Sequence, residues 1–353
     1  MRGLLSSIVE KASGFLADYF RASSILSRCG LAICVAALSA SIIELILSTV
    51  IDFDLLPYLR EVAFLVGVLM IAIGVFWRRA AEMRDIKIVV EVKGLRMASW
   101  TDLRSYFPRS QQSRIAALTI DLTDKIKDGE ILNPAFIQKS VREFRSNLDS
   151  RKQQYDENDI EIYFGGLAPV PVLFALGIQL DDDGRTTVLD WDRINEKWVI
   201  PNAVYDGPDL YFSELPNTLP DEILIACSIS YAVDKAAIEE QFAGMQTLEI
   251  VASEFGRHPE CSLVFQQKIC EEFTAYLRRI HATGVKRIHM VLAAPSSVCI
   301  NLGRAYDKRL FPPIWIYQYE RNAEKGRYIW RANMPVAKTE FFIEETAYSP
   351  SSL

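Results

Sequence analysis

The chain has 353 residues, half of them hydrophobic, with a formal net charge of -6. Its mean hydropathy of +0.09 is high for a protein bathed entirely in water, so some apolar sequence must face lipid. The six cysteines (Cys29, Cys34, Cys227, Cys261, Cys270, Cys299) have no C-x-x-C spacing, which excludes a paired-thiol zinc or redox motif and fits a reduced, cytoplasmic bulk.

Residues 1–28 place Leu4, Leu5, Ile8, Val9, Phe15, Leu16, Tyr19 and Phe20 between polar residues, which suits an amphipathic helix on a membrane surface or an ordinary helical leader. Cys29 to Ile51 then gives 23 residues with one charge, Glu44. At the rise of an α-helix this run spans about 35 Å, enough to cross a bilayer core. A short loop with Asp52 and Asp54 leads to Val62–Trp77, 16 uncharged residues that Leu55–Leu59 extends to spanning length. Residues 29–77 therefore read as a two-helix transmembrane hairpin. Arg2, Lys11, Arg21 and Arg28 precede it and Arg78, Arg79, Arg84 and Lys87 follow, against only Arg60 in the loop, so both termini are expected in the cytoplasm. A signal peptide is a poor fit, because the first run is too long, starts too late and is followed by a second.

Cys34, Ala37, Ser41, Glu44 and Ser48 share one face of the first helix, and Ala63, Gly67, Met70 and Gly74 one face of the second. Small residues let helices approach closely in lipid, and an intramembrane carboxylate needs a partner or water. Self-packing of the hairpin and an oligomeric or pore-lining seam both satisfy that pattern.

Residues 78–114 read as a connector with a strand over 85–92 and an aromatic element over 100–107. Ile115–Leu122 is a predicted strand, Asn133–Arg151 an amphipathic helix and Ile160–Phe164 another strand, an alternation that implies a mostly parallel α/β sheet. The sequence then repeats. Ala168-Pro169 and Leu176-Gly177 recur as Ala294-Pro295 and Leu302-Gly303, each 126 residues later, with a strand after each glycine. Trp198 and Trp330 fall late in the two copies. Residues 115–210 and 211–340 are thus expected to be two related halves, with 341–353 a tail. Asp181–Gly184, between apolar runs, reads as a hairpin turn.

Charge is distributed unevenly along the chain. Residues 151–256 hold 6 Lys and Arg against 20 Asp and Glu, and residues 257–338 hold 14 against 6. That asymmetry suits head-to-tail self-association. Arg304, Lys308, Arg309, Arg321, Arg327 and Arg331 are interleaved with Trp315, Tyr317, Tyr319 and Tyr328, a composition for holding phosphates and stacking bases, or simply a solvated basic face. No phosphate-binding P-loop, H-E-x-x-H or G-x-S-x-G motif occurs. His258, His281 and His289 lack metal-ligand spacing, so neither a metal site, a cofactor nor a catalytic residue is expected.

The run His289-Met-Val-Leu-Ala-Ala-Pro-Ser-Ser, then Leu302-Gly303-Arg304, Pro313-Ile-Trp-Ile-Tyr-Gln-Tyr-Glu320 and Tyr328-Ile-Trp-Arg resembles the C-terminal half of a SAVED domain. That domain type is built from two fused CARF-like, Rossmann-like units. Joined to two transmembrane helices, it is similar to the membrane effectors of bacterial CBASS anti-phage systems. The resemblance implies a multi-pass protein of the bacterial inner membrane. It would bind a cyclic di- or trinucleotide, or a larger ring, made by a partner nucleotidyltransferase, then oligomerise and disrupt the bilayer. A membrane-anchored nucleotide-cleaving enzyme and a tethered scaffold are the alternatives. Ligand contacts are expected from strand-end loops and helix N-termini: Gly165, Gly166 and Pro169; Ser228, Ser230 and Tyr231; Pro295, Ser296 and Ser297; and Arg304, Tyr317 and Tyr319. Glu44, Ser41 and Ser48 are the expected membrane-effector residues.

Overall fold

Strands buried on both faces need apolar residues at consecutive positions, and several segments of this chain have them, such as Ile223-Leu-Ile-Ala-Cys and Met290-Val-Leu-Ala. The computed structural model describes residues 65–74, 76, 86–94, 101–109, 111–127, 130–181, 184–202, 207–255, 262–321, 327–334 and 342–345. The chain divides at Asp85 into two compact units.

In the first unit the described residues form a helix over 65–74. Gly67 and Gly74 are buried and Met70 half-buried, whereas Leu65, Val66, Val68, Leu69 and Ile73 are exposed. The glycine seam expected from the sequence is thus the covered face, and the large aliphatics point away from it. Among the described residues no helix is long and apolar enough to cross a membrane. The leader, the first apolar run, Ser41, Glu44 and Ser48 lie outside the described residues.

The second unit contains two open sheets built on one plan. In the first, β1 (Ile86–Lys93) pairs in parallel with β2 (Ile115–Asp121) on one side and β5 (Ile160–Leu167) on the other, and β6 (Thr186–Val188) continues beyond β5. A short hairpin, β3 (Ile126–Lys127) with β4 (Glu130–Ile131), precedes helix α1 (Pro134–Lys152). Helix α2 (Val170–Leu180) follows β5. The hairpin β7 (Asp190–Asp192) and β8 (Lys197–Val199) closes the first half. In the second sheet, β10 (Glu222–Ser228) pairs in parallel with β11 (Gln246–Ala252) and β12 (Arg287–Ala293), and β13 (Ile314–Tyr319) lies beyond β12. Its helices are α3 (Lys235–Gln241), α4 (Leu263–Ala282) and α5 (Ser296–Ala305). Antiparallel β9 (Leu210–Phe212) borders β11, while β14 (Tyr328–Asn333) and β15 (Phe342–Glu345) extend the other edge.

The shared strand orders, β2-β1-β5-β6 and β11-β10-β12-β13, carry the duplication through the whole of both halves. They also correct three expectations. Residues 86–93, read as part of a connector, are an inner strand of the first sheet and the counterpart of β10. Their Ile-Val-Val run could be satisfied only by burial between two neighbours. Residues 342–345, assigned to a tail, pair with β14. Asp181–Gly184 is not a hairpin turn, because it joins α2 to β6, which runs parallel to β5; Asp181 closes the helix with φ +47°.

Helix starts follow local chemistry. Asn133 accepts the Phe136 N–H at 2.9 Å, and Ser262 that of Phe265 at 3.1 Å. Ile137, Val141, Phe144 and Leu148 form the buried stripe of α1. Helix α2, by contrast, is buried all round from Pro171 to Leu180 because it lies between the two halves. It crosses α5 where Leu176-Gly177 meets Leu302-Gly303. A Cβ on Gly177 would overlap the Ile300 carbonyl oxygen, and one on Gly303 that of Phe174. The contacts are reciprocal under the 126-residue shift, as across a twofold interface. The repeated Leu-Gly pair thus joins the halves backbone to backbone.

Candidate ligand-binding site

In an open parallel sheet, ligands bind beyond the carboxyl ends of the strands, where the connections diverge. The second sheet has a cavity of about 470 Å³ in that position, lined from the ends of β12 and β13, the loop after β10, and the residues flanking the β13–β14 turn. Its volume falls in the range of about 300–1,000 Å³ for small-ligand sites.

The loop after β10 is folded by its own polar groups. Ile229 and Ser230 N–H both donate to the Ala293 carbonyl, at 2.9 and 3.0 Å, and Ser228 Oγ accepts the Val233 N–H at 3.1 Å. Those bonds hold Tyr231, Val233 and Asp234 at the cavity. Asp234 caps α3 by accepting the Ala237 N–H at 3.1 Å, and its other oxygen accepts the Tyr319 hydroxyl, also at 3.1 Å. The backbone bond first, and the Tyr319 hydroxyl further, hold its carboxyl below the usual range, so it is ionised at neutral pH. Tyr328 packs edge-to-face on Tyr319, with ring centroids 5.5 Å apart. Arg321 and Arg327 supply positive charge at the rim.

Tyr317 forms part of the floor, but its hydroxyl is already engaged. It accepts from Arg331 Nη1 at 3.2 Å and meets His289 Nδ1 at 2.7 Å. His289 Nε2 meets Glu222 at 3.1 Å, which is satisfied when the neutral ring accepts from Tyr317 and donates to Glu222. Tyr317 therefore offers the cavity its ring rather than its hydroxyl. Burial lowers the His289 pKa below 6.5, outweighing Glu222.

Of the expected contacts, Tyr231, Tyr317 and Tyr319 come together at the cavity, while Ser228 and Ser230 build its loop. The others do not join them. Gly165 and Gly166 lie within β5, not in a loop, and are buried under side chains including Leu103, Trp198 and Leu173. Pro169 and Pro295 occupy the N-caps of α2 and α5 without side-chain cap bonds. Ser296 opens α5. Ser297 is fully buried and donates to Asp190 through its N–H at 3.2 Å and its hydroxyl at 2.6 Å. Reciprocally, Gln318 of the second half accepts the Val170 N–H of α2 at 3.1 Å. Side chains from opposite halves thus occupy the helix N-termini expected to hold phosphate. Arg304 Nε donates to the Asp181 carbonyl at 3.3 Å, in the seam between halves. Asp234 was missed because a single aspartate before a helix signals only a cap.

Two fused Rossmann-like units, with an open cavity at the strand ends of one, define a twin-unit CARF-like α/β module. The chain belongs to the SAVED family: residues 137–334 match the profile described as the SMODS-associated and fused to various effectors sensor domain. Residues 3–137 match the SAVED-fused 2TM effector domain. The profiles meet within α1, so β1 and β2 fall in the effector match yet pair into the sensor's first sheet. Among solved structures, the chain is similar to the Acinetobacter baumannii Cap4 SAVED/CARF-domain containing receptor with the cyclic trinucleotide 2'3'3'-cAAA, at 12% identity and a TM-score of 0.47 over 76% of this chain and 58% of that one. The Moraxella osloensis Cap4 receptor is 11% identical, with a TM-score of 0.46 over 76% of this chain and 57% of that one. The chain thus spans under three fifths of each of those structures. No curated protein matches it.

Proposed function

We propose that this SAVED protein is a non-enzymatic receptor whose cavity at the ends of β10, β12 and β13 binds a cyclic oligonucleotide made by a partner nucleotidyltransferase. The observation that carries the reading is the lining itself. Tyr231, Tyr317, Tyr319 and Tyr328 present aromatic surface for bases, and Arg321 and Arg327 provide cations for phosphates. Ligand binding favours an assembled state of the protein, with the acidic stretch 151–256 of one subunit against the basic stretch 257–338 of the next. Assembly gathers the transmembrane hairpins, with both termini cytoplasmic, and breaches the inner membrane. Glu44, Ser41 and Ser48 form the seam that acts there. Binding of one member of a cyclic di- and trinucleotide panel by the full chain in detergent, with growth in mass, is the expected result. No binding across the panel overturns the reading, and ligand cleaved during long incubation would overturn its non-enzymatic part.

A further inference from the structure

The cavity holds a feature that an anion site does not need. Among the described residues lining it, Asp234 is the sole carboxylate, and it stands with Arg321 and Arg327. A carboxylate beside bound phosphate costs energy through like-charge repulsion, so its useful counterpart on a ligand is a neutral hydrogen-bond donor. One Asp234 oxygen accepts the Ala237 N–H and the other the Tyr319 hydroxyl, the Ala236 N–H adds a third bond, and the lone pairs of a carboxylate leave further acceptor capacity.

Position narrows the donor. The carboxylate lies 3.1 Å from the Tyr319 hydroxyl, at the outer end of a ring that lines the cavity. A base laid flat on that ring brings an edge to the carboxylate. We propose that Asp234 reads the base edge, so that the pocket favours bases with an exocyclic amino group, as in adenine or cytosine, over uracil, whose corresponding atom is a carbonyl acceptor. The inference rests on the cyclic-oligonucleotide reading above and adds a specificity-determining residue to it.

The test measures binding of cyclic triadenylate, cyclic triuridylate and the 2'-deoxy form of cyclic triadenylate to the full chain in detergent. The wild type is expected to prefer the adenine ring over the uracil ring by about tenfold or more, as for a site built around one polar edge. Asp234→Asn retains a capping oxygen for Ala237 while turning an amide N–H₂ toward the base, so the preference should collapse or reverse toward uracil. An unchanged adenine-to-uracil ratio in Asp234→Asn overturns the proposal while leaving the receptor reading intact. So does a preference that disappears in the deoxy ring alone, because the carboxylate would then be reading ribose. Failure of the wild type to bind any ring overturns both readings together.

Discussion

The two halves share a strand order, yet the same place in each is used differently. In the second sheet, Val291 and Leu292 of β12 line an open cavity beneath tyrosines. At the matching positions, 126 residues earlier, stand Gly165 and Gly166 of β5. The room those glycines leave is filled, since a Cβ on Gly165 would come within 3.0 Å of both Leu103 and Trp198. Tyr317 pairs with Val291, so by register its counterpart is Leu189, just past the Phe164–Val188 pair, and Leu189 is buried in an apolar cluster with Leu103, Phe107 and Trp191, the last packed edge-to-face on Trp198 at 5.3 Å. Duplication preserved the backbone plan, while side chains plugged one copy of the site and left the other open. From the plugged half, Asp190 accepts the Ser297 hydroxyl of the open half.

The comparison can be broken most severely where the halves join. Gly303→Val forces side-chain atoms into the Phe174 carbonyl, and overpacking of this kind should cost about 3 kcal/mol or more in denaturant unfolding. Full stability would show that the α2–α5 crossing is not the joint described. Emptying the plug comes next: Trp198→Ala, at a side chain 4% exposed, should lose about 3–5 kcal/mol, whereas Tyr319→Ala, in the open half, should lose far less stability and instead lose ligand binding. Equal losses from both would erase the distinction between plug and cavity. Ser297→Ala removes the hydroxyl donor from the buried Asp190 carboxylate and should cost about 1–3 kcal/mol, with ligand affinity retained if the site lies where the cavity is. Arg327→Ala should leave the melting temperature nearly unchanged while weakening ligand binding about tenfold and flattening its salt dependence.

The smallest effect is one of pH. His289 has a folded pKa below its unfolded value of 6.5, so the unfolded chain takes up protons more readily. Its contribution is fully present above about pH 6.5 and is lost as the pH falls toward the folded value. Thermal melts of wild type and His289→Gln between pH 5 and 7.5 should show a shallower decline in the variant. Parallel curves would remove His289 from the pH response.

Periodicity, runs of aliphatic residues and the repeated Ala-Pro and Leu-Gly pairs were enough to read two related α/β halves behind an apolar hairpin from the sequence, because strand and helix burial depend on local spacing. The resemblance supplied the family. Tyr317 and Tyr319 are expected from aromatics interleaved with arginine in a basic segment and Tyr231 from a loop at a strand end, and all three line the cavity. The strand over Gln246–Ala252 escaped although Leu248, Ile250 and Ala252 alternate along it, and the helix over Lys235–Gln241 escaped because seven residues are too few to show a period. Tertiary structure alone decided which glycines serve packing. Gly165, Gly177 and Gly303 look like loop or ligand glycines in a sequence, but their reason is a neighbour more than 30 residues away. It also decided that the helix N-termini are occupied by Asp190 and Gln318 and that one of two matching sites stays open. Those outcomes depend on long-range side-chain contacts, whereas a repeat in the sequence specifies only the backbone plan the two halves share.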